Sequence, residues 1–273
     1  MKITEKVSPM HPDKIADRIA GALVDVCYTA EKDPRCAFEV LIGHNSCFIT
    51  GETSVSLNKR KVKEIAERIC GEKLNKFEYI EVPQDYYLAE NQSGDFRCGD
   101  NGVFAGFPMP EIHKEAIDIC EKLYEKYPTD GKIVLNGDTK ELTICWSNAT
   151  DEEINDVVFC DKVNPLGYWT GGINVDTGVT GRKLASDFYG IEYPLGGGTI
   201  HGKDLSKADC SVNIYCFLKA QETGKEQKAI CSIGDKYVNI NGEKVDFSEI
   251  VKVARQYVEK QGGFEKLAEW GLK

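Results

Sequence analysis

The chain has 273 residues and a formal net charge of −10, with 41% hydrophobic and 29% charged residues, the proportions of a soluble globular protein with core enough for one to three small domains. The acidic balance argues against binding nucleic acid through a general field, and no run is long and apolar enough to span a bilayer. The start, Met1-Lys2-Ile3-Thr4-Glu5-Lys6, lacks the apolar centre of a signal peptide, and eleven scattered cysteines without a C-x-x-C pair read as small buried hydrophobes of a reducing compartment, so a cytoplasmic location is expected and structural zinc is not.

Pro12 suits a first helical position, and Ile15, Ile19, Leu23 and Val26 recur on one face, predicting a helix over 12–28. Two strands follow, 38–42 and 47–50, around a turn rich in Gly and Asn. A helix over 59–70 carries Val62, Ile65, Ala66 and Ile69, with Gly71 as its stop. A strand at 79–82 ends before Pro83. The pattern then restarts with a strand at 104–107, a helix opened by Pro110, and strands at 133–135 and 142–146. Thr150 with Glu153 is a capping-box signature for a helix running through Ile154, Val157 and Val158. A third round has a helix over 207–219, strands at 229–233 and 237–240, an Asn241-Gly242 turn and a closing helix over 248–259. The class is α+β, with three similar units expected over 11–83, 99–165 and 175–273.

Three clusters carry chemistry. His11-Pro12-Asp13-Lys14-Ile15-Ala16-Asp17 gathers a His, carboxylates and a Lys at a helix start, where free N–H groups favour phosphate oxygens. Asp176-Thr177-Gly178-Val179-Thr180-Gly181-Arg182-Lys183 places two cations after a glycine-rich turn. Gly196-Gly197-Gly198-Thr199-Ile200-His201-Gly202-Lys203-Asp204, continuing to Lys207 and Asp209, is not a Walker A loop, because Asp204 stands where Ser or Thr is needed. It still offers a glycine turn, lysines and a helix start near Asp204 or Leu205. Asp209 could hold Mg²⁺, which takes one or two carboxylates beside phosphate oxygens. Asp138-Thr139-Lys140, Gly99-Asp100-Asn101-Gly102, Glu39 and Glu52 add isolated charges at turns and strands. The residues alone reach no further than a nucleotide or polyphosphate enzyme using Mg²⁺.

In order, Met10–Asp17, Arg97–Gly102, Asp176–Lys183 and Gly196–Asp209 resemble the four motifs of S-adenosylmethionine synthetases (methionine adenosyltransferases). The resemblance implies three α+β repeats about a pseudo-threefold axis, with sheets packed at a homodimer interface and a tetramer as the larger assembly. It implies ATP and L-methionine as substrates, two Mg²⁺ and a K⁺, and direct attack of sulfur on C5′ with release of phosphate and pyrophosphate. His11 would stabilise charge on the leaving triphosphate, and Lys140, Arg182, Lys183, Lys203 and Lys207 would grip it. Asp13 and Asp209 would hold Mg²⁺ and Glu39 K⁺. Glu52, Gln92 and Asp100 would surround methionine. Asp138 and Asp176 would contact adenosine or the methionine amine, Trp169 would stack on adenine, and Ile233 would line that pocket. The chain departs from the family between Gln92 and Gly99, where a long gating loop is trimmed, and at Cys210, where Arg is usual. A tripolyphosphatase or other ATP-dependent enzyme on the same scaffold, and a non-catalytic regulatory subunit of a synthetase, are the alternative readings.

Overall fold

Alternating apolar positions fold into three β-hairpins, β2–β3 (Cys36–Gly43, Ser46–Thr53), β6–β7 (Gly131–Asn136, Leu142–Trp146) and β10–β11 (Gln227–Cys231, Tyr237–Ile240). The structure, a computed structural model, describes residues 2–91 and 96–273. Each hairpin grows into a four-stranded sheet in the same order. Beyond the second hairpin strand lies β4 (Lys76–Val82), β8 (Lys162–Val163) or β12 (Glu243–Asp246). β4 and β8 run parallel to their neighbours, whereas β12 is antiparallel, because Asn241-Gly242 turns the chain straight back.

The fourth strand of each sheet comes from elsewhere in the chain. β1 (Ile3–Val7) pairs with β6, β5 (Gly102–Gly106) with β10 and β9 (Thr177–Val179) with β2. Each of these strands precedes the hairpin of one unit and completes the sheet of another. The segments 11–83, 99–165 and 175–273 each supply a hairpin and its outer strand, but the sheets interlock across their boundaries.

Helices cover the inner faces. α1 (Pro12–Ala30) starts at Pro12, and the His11 ring caps it by accepting from Asp13 N at 3.1 Å. It packs against β2, β9 and α9 (Phe264–Trp270). Surrounded in this way, it buries Ile15, Ile19 and Leu23, each worth roughly 1.5–3 kcal/mol, together with the charged Lys14 and Asp17. α2 (Lys59–Cys70) begins at the Asn58 cap and stops at Gly71. The short α3 (Tyr86–Asn91) precedes the undescribed 92–95. α4 (Glu111–Lys126) backs the β1–β6–β7 sheet. α5 (Asp151–Asn155) has the expected capping box but ends before Val157 and Val158. α6 (Leu184–Asp187) is one turn. α7 (Ala208–Thr223) starts later than Asp204, whose carboxylate is engaged by Cys36 N at 2.7 Å and Ser206 N at 2.7 Å. α8 (Phe247–Gln261) is followed by α9, which the sequence pattern had not suggested. All eleven cysteines are free thiols and all but Cys145 are buried. Among the described residues no helix is long and apolar enough to cross a membrane.

Candidate active site

The first cluster and the Asp176–Lys183 segment meet because β9 runs against the start of α1. A Cβ on Gly178 would overlap the Pro12 carbonyl and the Asp13 amide, so only glycine permits this approach. Asp13 then accepts from Val179 N through Oδ1 at 2.8 Å, and its Oδ2 is ion-paired with Lys183. Burial alone would raise the Asp13 carboxyl, but the bonds from Lys183 and Val179 outweigh it and hold the group below its ordinary value. Arg182 stands 3.9 Å from Asp13 Oδ1 with its guanidinium largely exposed.

His11 Nδ1 accepts from Asp13 N, which leaves the proton of the neutral ring on Nε2. Burial, with the Lys183 charge second, lowers its pKa to about 4, so the ring is neutral near pH 7 and Nε2–H is a donor. Asp176 and Lys132 also act on His11 electrostatically. Asp130 accepts from Gly172 N at 2.8 Å; burial raises its pKa to about 6, and Asp176 adds to the rise. A Cβ on Gly171 would lie 2.7 Å from Asp130 Oδ2 and 2.8 Å from the Trp169 ring, which places that half-buried indole beside Asp130. The indole N–H donates to Asn164 Oδ1 at 3.0 Å.

Asp138 and Lys140 are not brought to this group within the chain. They occupy the β6–β7 turn, where Asp138 accepts from Lys2 N and Lys140 lies 3.6 Å from Glu115. That turn is the far end of β6, about 17 Å from Gly131 at 3.4 Å per residue. At the near end stand Asp130 and Lys132, which sequence reasoning passed over. The signal was there: Asp130-Gly131-Lys132 and Asp138-Thr139-Lys140 are both D-x-K, and only the pairing of Val7 with Lys132 and of Ile3 with Asn136 decides between them.

A second group gathers around the Gly-rich segment. Lys203 Nζ binds Asp209 Oδ2 at 2.5 Å, and that carboxylate lies so close to Gly198 that an added Cβ would stand 1.9 Å from Oδ1. Lys207 is the α7 N-cap residue and nearly buried. Gly99 N donates to Ser206 O at 3.1 Å, Ile233 N to Asn101 Oδ1 at 2.7 Å and Cys98 N to Asp235 O at 2.9 Å, so Asp100 and Ile233 share this neighbourhood. Glu52 pairs with Ala37, which bridges Lys203. Gln92 lies outside the described residues.

The two groups sit near opposite ends of β2. Lys203 bridges Ala37 and Val179 pairs with Leu41, four residues or about 14 Å along the strand. Glu39 lies between them on the outward face, hydrogen-bonded to Thr180 and close to the Lys203 charge. Asp13 and Asp209 are hard oxygen donors, each beside a lysine and at a close glycine contact. That donor set suits Mg²⁺ bridging a carboxylate and phosphate oxygens, and Glu39 suits an alkali cation.

An α+β scaffold thus carries two carboxylate–lysine pairs beside glycine-rich turns. Residues 1–88 match the N-terminal domain of S-adenosylmethionine synthetase, and residues 170–227 match its C-terminal domain. The S-adenosylmethionine synthase of Mycoplasma genitalium is 30% identical over 76% of this chain and 67% of its own length; that of Acholeplasma laidlawii is 29% identical over 84% and 76%. A solved structure of an unusual S-adenosylmethionine synthetase from Campylobacter jejuni has the same fold, with a TM-score of 0.78 over 99% of this chain and 93% of that one, at 19% identity. The chain belongs to the S-adenosylmethionine synthetase family.

Proposed function

We propose that the protein makes S-adenosylmethionine from ATP and L-methionine. The observation that carries this reading is the pair of clamps, Asp13 with Lys183 and Asp209 with Lys203, on either side of Glu39. A triphosphate held between a first-group clamp and a second-group clamp would draw Lys183 and Lys203 onto its oxygens and free both carboxylates for Mg²⁺. When bound, Mg²⁺ neutralises the triphosphate charge. Arg182, Lys132 and Lys207 add positive charge, and the Nε2–H of neutral His11 can donate to the oxygen leaving C5′. Trp169 beside Asp130 offers a face for adenine. Glu52, Asp100 and Gln92 are left for methionine, and Ile233 for the edge of the nucleotide pocket.

In the reaction the methionine sulfur attacks C5′ of ATP and the C5′–O5′ bond breaks. Its electron pair leaves with tripolyphosphate and the sulfur becomes a sulfonium. The sulfur carries no proton to remove, so no general base is required, in keeping with a site of cations and carboxylates. Water would then attack a terminal phosphorus of tripolyphosphate, breaking its P–O bond to give pyrophosphate and phosphate.

The face bearing Glu39 and Glu52 also exposes Leu41, Ile80 and Val82. Such a patch fits a second copy of the chain, which would bring one copy's first group to the other's second. Sedimentation at micromolar concentration should give a dimer; a monomer that turns over would remove this element. Incubation with ATP, methionine, Mg²⁺ and K⁺ followed by mass spectrometry should yield the sulfonium product. Phosphate release without it would indicate a tripolyphosphatase, and neither product would refute catalysis.

A further inference from the structure

Behind the site lies a charged cluster that the chemistry above does not use. Lys14 Nζ is 2.5 Å from Asp187 Oδ1, 3.2 Å from Asp17 Oδ2 and 3.3 Å from His201 Nε2; that nitrogen is 3.1 Å from Asp187 Oδ2. All four side chains have at most 1% of their surface exposed. Asp17, Asp187 and His201 are the one set of grouped metal-type ligands among the described residues, but the Lys14 ammonium already lies among them. Burial opposes each charge. For Asp187, Lys14 and His201 outweigh it and hold the carboxyl low; for Lys14, the two aspartates outweigh it and hold the ammonium protonated.

A buried ion network is weak evidence for stability, since well-packed apolar residues often serve as well or better. Its connections suggest what it does instead. Asp17 Oδ1 accepts from Gly181 N at 2.8 Å, immediately before Arg182 and Lys183. Asp187 N donates to Lys183 O at 2.8 Å, and Leu272 N closes over Asp187 O at 2.8 Å. His201 stands two residues before Lys203, and Lys14 follows Asp13 directly. Each of the three segments that reach the clamps therefore has at least one anchor in the cluster, and α1 has two.

We propose that Lys14, Asp17, Asp187 and His201 are positioning residues that hold the three clamp-bearing segments in register without touching substrate. The idea rests on the reading that those segments bind the ATP triphosphate. Geometry is the lever, because a misplacement of about 1 Å can cost roughly 100-fold in rate.

The test compares wild type with His201→Leu, which removes one anchor, and His201→Gln, which keeps a donor toward Asp187. A Lys14→Met/Asp187→Leu double variant removes one charge of each sign and leaves His201 opposite Asp17 at 4.0 Å. Readouts are hydrogen exchange at 179–183, titration with magnesium tripolyphosphate, and separate KM values for ATP and methionine. In His201→Leu, exchange at 179–183 should speed about tenfold or more while distant helices keep their protection. Tripolyphosphate affinity should fall and the KM for ATP should rise about tenfold, with the KM for methionine within about twofold. His201→Gln should recover most of the loss, and the double variant, if folded, should behave like His201→Leu. If folded His201→Leu keeps wild-type exchange at 179–183 and wild-type tripolyphosphate affinity, the positioning role is overturned; global unfolding of His201→Leu with His201→Gln no better than it overturns the role equally. A wild-type protein that makes no sulfonium, yet shows the exchange and tripolyphosphate effects, refutes the synthetase reading and supports the positioning role.

Discussion

Gly178→Ala tests the joint on which the candidate site depends. The new Cβ would lie more than an ångström inside the ~3.5 Å at which nonbonded carbons rest, against the backbone of Pro12 and Asp13 rather than a side chain that could swing away. Relief requires β9 and the α1 start to part. Overpacking of this kind costs about 1–3 kcal/mol. Separation also stretches the 2.8 Å bond from Val179 N to Asp13, and a hydrogen bond to a charged group is worth about 1.5–3 kcal/mol. Together they predict a loss of about 3 kcal/mol, a shift of roughly 1 M in a urea midpoint measured at fixed protein concentration. The KM for ATP should rise, since Asp13 and Lys183 both move. Gly197→Ala is the control: nothing lies within 4 Å of its added Cβ, so stability should change by no more than about 0.5 kcal/mol. A Gly178→Ala protein with the wild-type midpoint and wild-type ATP KM would refute the claim that this contact builds the site.

Lys132, paired with Glu5 at 2.6 Å, lies near enough to His11 to act on it electrostatically; Lys132→Ala should lower kcat/KM about 100-fold by removing that cation from the triphosphate, whereas Lys140→Ala should stay within about threefold, and the opposite ranking in a steady-state assay would return Lys140 to the site. Lys183→Met should cost about 100-fold or more in turnover with circular dichroism unchanged, and wild-type rates would remove its phosphate role. Trp169→Ala should weaken ATP binding by about 1–3 kcal/mol in calorimetry through lost stacking, and unchanged affinity would take the ring out of the pocket. Asp130, raised to about 6 by burial, binds its proton more tightly folded than unfolded. It therefore favours folding most below about pH 4, and that contribution is lost as pH rises through about 6, by up to roughly 3 kcal/mol. Asp130→Asn should flatten the corresponding fall in melting temperature between pH 5 and 7, and an unchanged slope would mean that Asp130 titrates normally.

Elements with their own local signature were legible in the sequence. α1 has Pro12 and a 3.6-residue apolar period, α2 has Gly71, and the β10–β11 hairpin has alternation, with Asn241-Gly242 marking the turn that follows. β1 was not legible because Lys6, at a buried position, breaks the alternation; its ammonium is satisfied by the Ser186 and Trp270 carbonyls, far away in sequence. β9 is three residues long and acquires meaning only from β2 and α1. The motifs named His11, Asp13, Arg182, Lys183, Lys203 and Asp209 together, and the fold sets them in two groups along β2. The choice between Asp130–Lys132 and Asp138–Lys140 depended on strand register, which no local pattern carries.

The interlocking of the sheets explains why the hidden cluster escaped notice as well. Lys14 and Asp17, three residues apart on a helix, have the spacing of an ordinary surface ion pair. An amphipathic helix would turn them to solvent. α1 instead receives β9 on that side, because β9 leaves its own unit to complete the sheet of β2, and Asp187 and His201 follow in its wake. The strand that closes the sheet is thus also the one that buries the charges and delivers Arg182 and Lys183 to Asp13. On this account, register and site geometry are coupled: slipping β9 by one residue would turn Val179 away from Asp13 and withdraw Gly181 from Asp17 in the same movement.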